Sequence, residues 1–100
     1  MEKYELTPEA ISDLFEIWNF ISRDNPDAAE LVEEAILRAC NLLTGSPRAG
    51  RARKDLTSLP VRFWVVHPYS NYLIVYDPER KPIQIIRILH GARDLPSVLM

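Results

Sequence analysis

Between Val61 and Arg93 the chain reads VRFWVVH (61–67), then PYSN, YLIVYD (72–77), PERK, and finally PIQIIRILHGAR (82–93). Three runs rich in β-branched and aromatic residues, parted by Pro, Asn, Ser and Asp, predict a β-meander. Pro82 is compatible with the third strand only at its opening, where no ladder N–H is required of it. Charge is scarce inside the runs, so Arg62 and Arg87 are the side chains that most need a reason. Alternation puts Arg87 on the face of Ile85 and Leu89, where a carboxylate from elsewhere in the fold would have to pair with it.

Upstream of the meander, residues 46–60 carry Arg48, Arg51, Arg53 and Lys54 between Pro, Gly and Ser, the composition of a basic loop. Before it stand two amphipathic patterns with repeated start signals. Thr7-Pro8 and Asn25-Pro26 each place a capping side chain before a proline at the first helical position, where the missing N–H costs nothing. In the first helix Ala10, Ile11, Leu14, Phe15, Ile17, Trp18 and Ile21 form the apolar side, with Ser12, Asp13, Glu16 and Asn19 opposite. Leu6 and Ile11 fit a hydrophobic staple. In the second helix the stripe is Ala28, Leu31, Val32, Ala35, Ile36, Ala39, Leu42 and Leu43, ended by Thr44-Gly45 and Pro47. The short link between the two implies an antiparallel helical hairpin. Phe20 and Leu37 fall on otherwise polar sides and are candidates for a partner's groove. Lys3–Leu6 alternates as a short edge strand. The element order β-αα-βββ defines a single α+β domain over residues 1–100, a helical hairpin on a mainly antiparallel sheet.

One hundred residues suffice for one core. No run of about 18 apolar residues and no signal peptide occurs, so the expected compartment is the cytoplasm, without a membrane. The single cysteine, Cys40, excludes an internal disulfide and lies on the apolar side of its helix, a core thiol. The overall charge of −2 hides a division: residues 1–45 hold three cations and ten carboxylates, while residues 46–100 hold nine cations and four carboxylates. Such a split points to an acidic partner for the second half, or to two differently solvated faces.

There is no Gly-rich phosphate loop, no HExxH, no Cys/His metal spacing and no nucleophile elbow, so neither a metal nor another cofactor is expected. His67 and His90 could do acid–base work in principle, but neither has a sequence-adjacent partner. His67 reads as a strand-end polar residue. His90 beside Gly91 and near Arg93-Asp94 is equally compatible with structure and function.

LTPEAISDLFEIWNFI, a second helix ending in SPRAGRARKDL, then VRFWVV, YLIVYD and the closing IIRILHGARDL together resemble the ParE/RelE toxin superfamily of type II toxin–antitoxin systems. The resemblance spans nearly the whole chain. It implies a small antitoxin as partner, a hetero-oligomer, and contact with operator DNA only through that antitoxin. RelE-like members resemble ribosome-dependent mRNA interferases, whose chemistry needs groups to activate the 2′-hydroxyl, stabilise the phosphorane and protonate the leaving oxygen. Here Phe63, Trp64, Val65 and Val66 stand where RelE carries lysines, and Leu73 where it has an arginine. Only Arg93 matches, and the tail Leu95–Met100 has no Tyr or His. An acidic pI near 5.6 also disfavours an RNA-binding enzyme. The resemblance is therefore to the ParE branch, taken to poison DNA gyrase without catalysing a reaction. An interferase with an altered site, or a remnant that only binds antitoxin, are the alternatives. From their places in and just after the strands, Arg93, Arg62 and His90 are the expected target-contacting residues, while Phe20 and Leu37 are expected against the antitoxin.

Overall fold

The computed structural model describes residues 3–98, with side chains as far as Asp94. Its elements are β1 (Tyr4–Leu6), α1 (Pro8–Ser22), α2 (Pro26–Gly45), β2 (Arg62–Val65), β3 (Tyr72–Asp77), β4 (Ile83–His90) and α3 (Gly91–Val98). The expected order holds through β4. The added element is α3, where the chain turns directly from strand into helix at Gly91.

The start signals act as their residue types dictate. Thr7 accepts the Ala10 N–H through Oγ1 at 3.0 Å, and Asn25 Oδ1 accepts that of Ala28 at 3.1 Å. The sheet order is β1-β4-β3-β2, with the meander antiparallel and β1 parallel to β4, so the sheet is mixed. β1 covers only the first part of β4's outer edge. Thr7 continues the cover, donating its N–H to the Ile85 carbonyl and its hydroxyl to that of Ile86. An exposed edge of this length would invite pairing with other chains.

The helices bury one face of the sheet through Ala10, Ile17, Val32, Ile36, Cys40 and Leu43 against Ile74, Tyr76, Ile85 and Ile88. Cys40 is fully buried, and burial pushes its thiol up to about 12, so it is a core residue as expected. A second cluster, Val61, Phe63, Val75 and Leu89 with Leu56 and Ile86, occupies the opposite face under the loop that follows α2. Both faces are thus covered, which explains why the three strands read as near-continuous apolar runs.

Two expectations about faces are corrected. Ile85 and Leu89 lie on opposite sides of the sheet, because a register shift between Val75 and Tyr76 places an extra residue in β4. A bulge of this kind breaks strict alternation. On the helices, Ile11, Phe15, Leu31 and Leu42 are exposed rather than core, and Phe15 reaches 66%. Asp13, expected on the polar side, is buried at 9%. The whole of α1 is rotated to bring that carboxylate onto β4.

The basic loop is pinned to the end of the sheet. The buried Tyr76 hydroxyl donates to the Pro47 carbonyl at 2.6 Å and accepts the Gly50 N–H at 2.9 Å. A Cβ on Gly50 would stand 2.6 Å from the Tyr76 oxygen and 2.9 Å from the Phe63 carbonyl. Gly50→Ala is therefore expected to destabilise the fold by roughly 1–3 kcal/mol, the scale of overpacking, as read from urea denaturation. An unchanged midpoint would mean that the loop is not held by this contact.

Candidate functional site

A cleft of about 400 Å³ opens between the C-terminal half of α1 and the end of the meander where α3 begins. Glu16, Phe20 and Arg23 form one wall, and Tyr72, Arg93 and Asp94 the other. Asp13 and Arg87 lie at its base, so it holds three acidic and three guanidinium groups.

The base is rigid. Arg87 forks onto Asp13, Nε to Oδ2 at 2.7 Å and Nη2 to Oδ1 at 2.8 Å. The same Oδ2 accepts the Ile88 N–H at 3.0 Å, satisfying an edge amide of β4 beyond the reach of β1. The bond to Asp13 holds Arg87 above the ordinary guanidinium range. This is the carboxylate that the strand position of Arg87 demands, and a bidentate fork is the geometry guanidinium and carboxylate favour.

The rim is built by the start of α3. His90 occupies the N-cap position, its Nδ1 accepting the Arg93 N–H at 3.3 Å. Asp94 reaches back to the His90 N–H at 2.8 Å, a reciprocal cap. The Arg93 guanidinium turns onto Asp94, Nε to Oδ1 at 2.9 Å, and remains mostly exposed. That bond is the main reason the Asp94 carboxyl is held below its usual range. The contribution of a lowered carboxyl is complete above its unfolded value and is lost only as pH falls through the folded one, below about 4.

Register brings Tyr72 opposite His90, their rings edge to face with centroids 5.6 Å apart. Tyr72 is the one cleft aromatic that sequence reasoning did not single out; its pairing across the meander was the available signal. Desolvation raises its phenol above the ordinary range, with Arg93 opposing the shift, so the group is held protonated rather than poised as a base.

The predicted residues therefore divide. His90, Arg93 and Phe20 meet at the cleft and its rim, and Phe20 is 63% exposed. Arg62 lies at the opposite end of the meander, where Nη1 donates to the Gly50 carbonyl at 2.6 Å and more weakly to that of Arg48. Leu37 is half-buried on α2 and does not line the cleft with Phe20. The tail residues Leu95–Met100, weighed against the RelE pattern, have their side chains outside the described residues. Among the described residues no cluster of three His, Cys, Asp or Glu could hold a metal ion, and no helix is long and apolar enough to cross a membrane.

Three helices on a four-strand mixed sheet form an architecture already seen in a solved toxin structure. The chain superposes on a solved structure of the chromosomal ParDE toxin–antitoxin system from P. aeruginosa with a TM-score of 0.70 and 22% identity, over 87% of this chain and 92% of that one. Residues 4–95 match the family model described as the ParE toxin of the type II toxin–antitoxin system, parDE. No curated protein matches the sequence significantly. The chain belongs to the ParE toxin family.

Proposed function

We propose that the protein arrests growth as the toxin half of a type II pair, by binding DNA gyrase and blocking replication, until a cognate antitoxin covers it. The supporting observation is the family match over residues 4–95. The cleft chemistry agrees with a binding rather than a cutting role. Its carboxylates oppose a phosphate, Tyr72 is raised where a general base would need to be lowered, and Arg93 is engaged by Asp94. Arg93 and His90, at the start of α3, are the target-contacting residues on this reading. Arg62, bonded to the 48–50 carbonyls, would act on toxicity through its loop.

One observation favours the alternative of mRNA cleavage: Tyr72, His90 and Arg93 do meet at one rim. Induction without antitoxin separates the readings. SOS induction and stalled replication with intact transcripts support the gyrase reading. Rapid transcript cleavage would replace it with an interferase, and unimpaired growth with a fold that only binds antitoxin.

The antitoxin is expected along the helical hairpin, laying an apolar helix face on the exposed Phe20 side with Leu37 as a secondary contact. Phe20→Asp should weaken the complex by about 2 kcal/mol, roughly 30-fold in Kd, the scale of one interface anchor. Calorimetry with the cognate antitoxin measures it, and an unchanged affinity would remove Phe20 from the interface. The complex is expected to place two toxins on an antitoxin dimer, since such repressors read two-fold operators. Light scattering that gave a 1:1 heterodimer at every concentration would contradict that stoichiometry.

A further inference from the structure

The cleft does not account for the basic half of the chain. Arg48, Arg51, Arg53, Lys54, Arg80 and Lys81 are all exposed. The fold gathers them near the opposite end of the meander. The Arg48–Glu79 bond at 2.8 Å ties the loop to the β3–β4 turn that bears Arg80 and Lys81. The Arg51–Phe63 bridge holds Arg51 at the outer edge of β2. Arg51 also acts on Asp55, which is bonded to Arg53 at 2.7 Å. Arg51, Lys54, Arg80 and Lys81 have no ion pair among the described residues, and the carboxylates at this end are Asp55, Asp77 and Glu79, with Glu5 on β1 beside Gln84.

The loop is also held in place. Tyr76 and Arg62 engage Pro47, Gly50 and Arg48 through the backbone, so the cations at its root stand on a fixed frame. We infer that this end of the molecule is a contact surface for the phosphate backbone of duplex nucleic acid, independent of sequence.

The partner's class follows from what accompanies the charge. Binding single strands relies on aromatic side chains on which bases stack. Of the aromatics at this end, Phe63 and Tyr76 are buried and Tyr4 is half-buried against the core, so none stands free as a stacking platform. A protein interface would need a cluster of apolar anchors at its centre, and the loop offers one large exposed aliphatic, Leu59. Guanidinium and ammonium groups spread over a rigid, anchor-free surface match the repeating anions of a duplex. The two helices, which hold seven carboxylates between them, would face away from it and fix the orientation of approach. This adds a direct phosphate contact to the operator access expected through an antitoxin, and does not depend on which enzyme the toxin inhibits.

The test uses the full-length protein and a fluorescent 20-base-pair duplex of random sequence, with anisotropy read across a KCl series. Contacts to about four phosphates predict a log–log slope near −3.6, or roughly a hundredfold loss of affinity between 50 and 200 mM salt. Arg80→Glu with Lys81→Glu, two exposed turn positions, should lower affinity at least tenfold while leaving the thermal melt unchanged. Arg51→Glu with Lys54→Glu should do the same on the other side of the patch. No binding at 50 mM salt, equal binding to a polyglutamate of matched length, tighter binding to single-stranded oligonucleotide, or affinity indifferent to both reversals would each overturn the inference.

Discussion

Arg93→Ala abolishes growth arrest on induction while the protein stays folded and still binds its antitoxin: this is the largest functional effect expected of any single substitution here. The guanidinium stands in the first turn of α3, exposed at the rim of the cleft, and its partner Asp94 is its immediate neighbour in sequence. An exposed pair of this kind contributes no more than about 1 kcal/mol to stability, because water screens both charges. The substitution therefore separates function from folding. Growth curves after induction supply the first measurement, and thermal melts of the toxin–antitoxin complex the second. If Arg93 served only to anchor the chain end through Asp94, Arg93→Ala would shift the melt and leave toxicity whole, and Asp94→Ala, which also loses the His90 cap, would shift it further. A fully toxic Arg93→Ala variant would remove this residue from the target-contacting set, whichever enzyme the toxin engages.

Asp13→Ala carries the largest expected cost in stability, about 3 kcal/mol, against the 5–15 kcal/mol that holds a domain of this size together. The carboxylate is 9% exposed and carries two kinds of load, the Arg87 fork and the Ile88 amide. Its removal strands a partly buried guanidinium and an edge N–H together. The figure is at the lower end for a broken buried pair, since 29% of the Arg87 side chain reaches water. A double-mutant cycle tests the division. Asp13→Leu with Arg87→Met removes both charges and should recover part of the loss, while the orphaned Ile88 amide keeps about 1–3 kcal/mol of it. Urea denaturation of the four proteins gives the cycle. A cost of Asp13→Ala below about 1 kcal/mol would show that the pair is solvated and does not hold α1 to β4.

The architecture was legible because its signals are local. Thr7-Pro8 and Asn25-Pro26 cap their helices as side-chain oxygen and fixed φ require, Gly45 ends the hairpin, and the turn residues at 68–71 and 77–81 cut the meander into its strands. The demand that Arg87 find a carboxylate was also legible, since a charge inside a strand must be paired. Which carboxylate was not. Asp13 looks like a solvated helix residue until α1 lies along β4, 74 positions away, and the bulge in β4 re-aims the neighbouring side chains. The same rotation left Phe15 and Ile11 outside the core although their spacing is that of a buried stripe. Arg62 and Arg93 look alike in sequence, two cations flanking the strands. An antiparallel meander puts the start of its first strand and the end of its third at opposite ends of the sheet. Only the register could therefore give Arg93 the cleft with His90 and Phe20, and give Arg62 the loop. Capping, turns and apolar runs depend on near neighbours along the chain; the pairing of charges and the partition of a site depend on which distant segments come to lie side by side.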